Sequence, residues 1–211
     1  QACTSAVVSG KVTPDGRPLL WKNRDTDFMQ NHIDYVKGEK YNFIAVVNSA
    51  NAYLKEAWMG TNSSGFALMN TQSYNLVDVK GDEERGAANG RVIYRALEVC
   101  ATVEDFCHFL DTISKPSDIE ANFGVIDAQG GAAMFEVDYY KYVMYDANNP
   151  KDAPYGYIAR TNFSFAGKVN EGAGYVRYME ADQVLMKASA TGSITPQFIF
   201  NDLSRSFRNR M

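Results

Sequence analysis

Cys3 opens the run Cys3-Thr4-Ser5-Ala6-Val7-Val8, which leads directly into an apolar strand pattern. A cysteine that begins a chain can use its own α-amine as the base. That amine has an ordinary pKa of about 7.7–8.0 and the thiol one of about 8.5, so both sit close to working pH. One residue then supplies nucleophile and base together. Removing Gln1 and Ala2, by a signal peptidase or by autoprocessing, creates such a terminus. The chain then reads as a hydrolase built on its own N-terminus.

The elements that must hold this cysteine follow from the pattern of turns and apolar residues. Thr13-Pro14-Asp15-Gly16-Arg17-Pro18 has the composition of a turn, and the strand after it ends in Asn23-Arg24-Asp25. The resulting hairpin brings Cys3 and Asp25 to the same end of two paired strands. Residues 26–40 are polar with interleaved Phe28, His32 and Tyr35, and read as a loop overhanging a site, with aromatics that could line an apolar acyl pocket.

Further strands are expected over residues 41–48, 56–60 and 66–71, with Asn62-Ser63-Ser64-Gly65 as the last turn. From about Arg85 the period becomes helical, through Val92, Ala96, Val99 and Cys100. A second helix begins at the N-cap Thr102, with Asp105 three residues on. Strands return at 122–127 and 133–137, and a further pair, 139–145 with 155–162, completes a second strand group. Helices from about Gly174 to Ala188 and after Pro196 close the chain. The order strands, helices, strands, helices implies an α+β fold of two sheets sandwiched between helical layers.

Composition narrows the function. With 211 residues and 45% apolar content, the chain can bury one substantial core. A net charge of −4 with scattered basic residues argues against nucleic acid as a partner. No stretch approaches the roughly 20 apolar residues of a membrane span. Three cysteines and two histidines make neither a disulfide framework nor a metal cage. Cys100 and Cys107 read as buried free thiols of a helical stretch, with a bridge between them as the alternative. Gln1-Ala2 has the look of a removed signal segment, which implies a secreted or periplasmic protein.

With these residues in view, the chain resembles the choloylglycine hydrolase and penicillin acyltransferase group of N-terminal-nucleophile hydrolases, which cut linear amides. The resemblance rests on Cys3-Thr4-Ser5, on Asp15-Gly16 and on Asn23-Arg24-Asp25. It continues through the turn and strand Asn62-Ser63-Ser64-Gly65-Phe66-Ala67-Leu68-Met69-Asn70, through Arg160-Thr161-Asn162-Phe163, and through Tyr175-Val176-Arg177-Tyr178.

It implies a four-layer αββα sandwich and a small-molecule N-acyl amide substrate, with no cofactor and no metal. Cys3 would be the nucleophile and Asp25 its orienting aspartate. Asn70 and Asn162 would flank the reacting carbonyl, and Arg177 would lie near the nucleophile. Lys22 stands where the bile-salt enzymes have an arginine. Relatives of this group continue with more strands, so an end at Met211 implies a fragment, a short relative or a chain cleaved from a partner; residues 3–211 are read as one domain after a residual 1–2 segment. A homo-oligomer is compatible with all of this.

Two other readings fit the same opening. A cysteine-first dipeptidase shares it, although Thr161-Asn162 and Val176-Arg177 favour the amide hydrolases. Ala2-Cys3 also fits the acylation site of a lipid-anchored surface protein. Such proteins follow the cysteine with a flexible tether, whereas Thr4–Val8 goes straight into a strand pattern.

Overall fold

The computed structural model describes residues 2–81 and 83–206. Two antiparallel sheets lie face to face. The smaller has the order β10-β1-β2, from Tyr157–Arg160, Thr4–Val8 and Leu19–Asn23. The larger runs β3 to β9 in chain order: Asn31–Val36, Phe43–Asn48, Met59–Asn62, Ala67–Gln72, Ala121–Ile126, Ala132–Val137 and Tyr142–Asp146. Helices α1 (Asn89–Val99) and α2 (Val103–Asp111) lie on the outer face of the large sheet. Helix α3 (Tyr175–Ala190) and the final helical segment lie on the outer face of the small one. This is the expected αββα sandwich.

Alternation along each strand explains the layers. In β1, Ala6 and Val8 pack toward α3 with Leu185 and Leu203, whereas Val7 packs between the sheets against Met69 and Met134. The outer core beneath α1 and α2 centres on Phe106. It meets Phe66, Phe109, Phe123 and Phe135 at ring separations of 5.0–6.3 Å. Phe66, Phe106, Phe123 and Phe135 are fully buried, and each contributes about 1.5–3 kcal/mol over its exposed state. Helix α2 starts as its sequence requires: the Thr102 hydroxyl accepts from the Asp105 N–H, and the Asp105 carboxylate accepts in return from the Thr102 N–H.

Two expectations are corrected. Residues 26–40 are not all loop, because Asn31–Val36 forms β3, the edge of the large sheet, paired from Asn31↔Asn48 to Val36↔Phe43. An edge strand exposes much of both faces, so its polar pattern hides it from a period reading. The two late strands do not pair with each other either. Tyr142–Asp146 joins β8, while Tyr157–Arg160 crosses to the small sheet and pairs with β1 (Ser5↔Arg160). Strands from both ends of the chain therefore build the small sheet, and this sets the site. Cys100 and Cys107 are both free; Cys100 is buried in the core, which holds its thiol up at about 12.

Candidate active site

The register Thr4↔Asn23 sets Cys3 beside Arg24 and Ala2 beside Asp25 at the open end of the hairpin. The Ala2 N–H donates to the Asp25 carbonyl at 3.2 Å, which extends the ladder by one step. In an antiparallel pair successive residues direct their polar groups to alternate sides. Ala2 faces β2 through its N–H in this way, while the Cys3 carbonyl turns to Arg177. Cys3 has the parity of Val7, which places its side chain between the sheets. It is 1% exposed, and its Sγ lies 3.8 Å from the Asp25 main-chain oxygen. Asp25 thus meets Cys3 through its backbone, while its carboxylate acts on the charge of Arg177.

Arg177 sits in the first turn of α3 and reaches back to the chain start. Its Nη1 donates to the carbonyls of Ala2 (3.0 Å) and Cys3 (2.5 Å) and to the Thr4 hydroxyl (2.9 Å). Its Nη2 donates to Asn162 Oδ1 at 2.8 Å. The approach requires Gly174 at the head of α3. That residue has φ +88°, and a Cβ there would come within 2.5 Å of Arg177 Nη2. Asn162 is itself fixed, since Nδ2 donates to the Gln72 carbonyl at 2.8 Å and its backbone pairs with Ala173.

Asn70 is held by a residue to which the sequence assigned no role. The Lys22 ammonium donates to Asn70 Oδ1 at 3.0 Å and to the Trp58 carbonyl at 2.8 Å. An ammonium only donates, so the atom facing it must be the amide oxygen, and the NH₂ end of Asn70 points away from it. Burial holds the Lys22 amine down to about 8, with Arg24 lowering it further and the Cys3 charge opposing both. The charge of Cys3 acts likewise on Arg24, Tyr74 and Arg177.

The five sequence-predicted residues therefore fall into two linked groups. Arg177 binds Cys3 and Asn162 directly and senses Asp25; Asn70 is reached through Lys22. Glu136 was missed as a support. Its carboxylate accepts from Arg160 Nε (2.8 Å), from the Phe165 and Ala166 N–H groups (2.6 and 2.9 Å) and from the Tyr145 hydroxyl (3.1 Å). Those bonds anchor the chain on both sides of Thr161-Asn162. An isolated acidic residue in a strand gives no local signal of this.

An apolar cavity of about 360 Å³ opens between β2 and β3–β6, lined by Leu19, Leu20, Ile33, Ile44, Val46 and Met59. Leu20 is two residues from Lys22 on the same face of β2. Of the stretch expected to line an acyl pocket, Ile33 contributes, whereas Phe28, His32 and Tyr35 lie outside it. Among the described residues no His, Cys, Asp and Glu cluster suits a metal ion, and no helix is long and apolar enough to cross a membrane.

Solved structures share this architecture. The N-acylethanolamine-hydrolyzing acid amidase ortholog of Caenorhabditis elegans superposes with a TM-score of 0.62 at 15% identity, over 95% of this chain and 89% of that one. A variant of conjugated bile acid hydrolase from Clostridium perfringens gives 0.55 at 13% identity, over 96% and 74%. No curated protein sequence matches. The acyl-coenzyme A:6-aminopenicillanic acid acyl-transferase family matches residues 12–184, a span that begins after Cys3 and contains Lys22, Asp25, Asn70, Asn162 and Arg177. The chain therefore belongs to that acyl-transferase family, on the N-terminal-nucleophile hydrolase fold, and is an enzyme of the amidase and acyltransferase class that acts on linear amide bonds.

Proposed function

We propose that the protein is a cysteine amidase of small N-acyl amides, exported from the cell, which becomes active when Gln1 and Ala2 are removed. The observation that carries this reading is the grip of Arg177 on the Ala2 and Cys3 carbonyls and on Asn162 together. With Ala2 attached, the Cys3 nitrogen is an amide and cannot act as a base, and the sulfur is enclosed. Trimming converts that nitrogen to an amine and clears the strand end beside Asp25.

The new amine takes the thiol proton, and the sulfur attacks the substrate carbonyl carbon. The carbonyl electron pair moves to oxygen, where the NH₂ groups of Asn70 and Asn162 donate to it. Collapse of the adduct breaks the C–N bond, and the Cys3 ammonium returns its proton to the leaving nitrogen. Water attacks the thioester, loses a proton to the amine and releases the acid; an amine in place of water gives acyl transfer. The apolar cavity beyond Lys22 takes the acyl group. Enclosure of Cys3 Sγ between two sheets also favours a nucleophile over a lipid-anchored cysteine, whose acyl chains must lie outside the fold.

The mass of the mature N-terminus from the native host, paired with turnover of N-acyl amides, tests this. A terminus at free Cys3 with activity abolished in Cys3→Ala is the expected result. An active enzyme retaining Ala2, or an acylated Cys3, overturns it.

A further inference from the structure

Lys22 is a buried titratable group for which the mechanism above has no use. It comes from β2, and its ammonium meets the side-chain oxygen of Asn70 from β6 and the main-chain oxygen of Trp58 just before β5, both neutral. The charged and titratable groups that act on it are Cys3, just before β1, and Arg24, just after β2. The residue is only partly covered, yet its ammonium lies at the enclosed end.

We propose that Lys22 is a positioning residue for the amidase reaction: its ammonium, held on Asn70 Oδ1 and the Trp58 carbonyl, orients the Asn70 amide as an oxyanion donor. The inference rests on the amidase reading and deepens it. An amide has one acceptor end and one donor end. Anchoring the oxygen commits the NH₂ to face elsewhere, and a cation on the oxygen makes those N–H groups better donors.

A lysine does this differently from an arginine, because a lysine can lose its proton in the working range. Burial has already brought this one down to about 8. The neutral amine keeps a weaker hydrogen bond but no charge. Activity should therefore fall on the alkaline side as Lys22 deprotonates, in a way that a permanent cation abolishes.

The test uses the full chain with ¹⁵N-labelled asparagine, comparing wild type, Lys22→Met and Lys22→Arg. The Asn70 side-chain NH₂ signals should move with pH around a midpoint near 8 in the wild type. They should be shifted and pH-independent in Lys22→Met, and pH-independent in Lys22→Arg. On the processed enzyme, Lys22→Met should lose about 10²-fold in kcat. Lys22→Arg should stay within about tenfold and lose the alkaline limb.

Asn70 signals identical in wild type and Lys22→Met overturn the proposal, as does wild-type kcat in that variant. If Lys22→Met does not fold, an unchanged alkaline limb in Lys22→Arg overturns it equally. The resonance experiment needs no substrate, so a chain that hydrolyses no amide would sink the amidase reading while still reporting on Lys22 and Asn70.

Discussion

Arg177 donates to the carbonyl oxygen of Cys3 at 2.5 Å, tying the first turn of α3 to the third residue of the chain. The same guanidinium holds Asn162 Oδ1, so the orientations of the nucleophile strand and of one amide donor depend on one side chain. A planar fork spreads its donors over separate nitrogens and fixes both partners in one geometry, whereas a lysine offers a single rotating ammonium.

Replacing Arg177 by Met should lower kcat by about 10²-fold, because the Asn162 amide and the Cys3 terminus lose their common anchor. Arg177→Lys should recover little of that loss. Thermal stability should fall by less than the activity suggests, since the guanidinium is only partly buried and water can replace some of its bonds. Parallel melting and turnover measurements separate the effects. A proportional loss of both would mean that Arg177 acts only through the fold.

Asn70 allows a sharper comparison. Asn70→Ala should cost about 10²–10³ in kcat with little change in KM, as expected when a donor acts chiefly on the transition state. Asn70→Asp should keep the fold at least as well, because its carboxylate would pair with the Lys22 ammonium. It should nevertheless be inactive, having no N–H to offer. Steady-state kinetics with a melting curve for each variant distinguish the loss of a donor from the loss of structure.

Lys22 also leaves a mark on stability. Burial holds its folded pKa at about 8, below the ordinary value of 10.5. Between those values the unfolded chain still carries the proton and the folded chain does not. This site's contribution to stability therefore rises with pH across that window, and its penalty is full below pH 8. The difference amounts to roughly 3 kcal/mol. Subtracting the stability of Lys22→Met from that of wild type, by denaturant unfolding at several pH values, should give a curve rising by about that much from pH 8 to 10.5. A flat difference would show that the ammonium is solvated.

Much of this was legible in the residues themselves. The hairpin carrying Cys3 and Asp25 follows from a proline-glycine turn between apolar runs, and the Thr102–Asp105 cap from local hydrogen-bonding chemistry. Neither needs distant contacts. The pairing of Tyr157–Arg160 with β1 was not legible, because a strand of four residues carries no label for its partner. The edge strand Asn31–Val36 lacked the one-sided apolar pattern that reveals a strand. At the site, the family resemblance singles out Asn70, Asn162 and Arg177, whose own surroundings in the sequence do not, and nothing in the sequence says what holds them. The bond from Lys22 to Asn70 joins residues 48 positions apart and exists only once the two sheets have packed.

Glu136 offers a test of how far that support extends. Its carboxylate and the Arg160 guanidinium are both buried, and Arg160 also lies 3.6 Å from the Phe165 ring centroid. The acceptor serves four donors, two of them main-chain N–H groups of the segment after Asn162. Glu136→Ala would leave a buried cation and two N–H groups without their acceptor, a loss of about 3–5 kcal/mol. Glu136→Gln keeps the shape and one acceptor oxygen, so it should fold with a smaller loss. With Phe165 and Ala166 less firmly held, Asn162 should shift relative to Arg177, and kcat should fall in Glu136→Gln although the residue touches no substrate. Lowered kcat with unchanged KM at a temperature well below melting would place the effect on Asn162. Full activity in a folded Glu136→Gln would show that the contacts of Asn162 with Arg177, Gln72 and Ala173 hold it without help from Glu136.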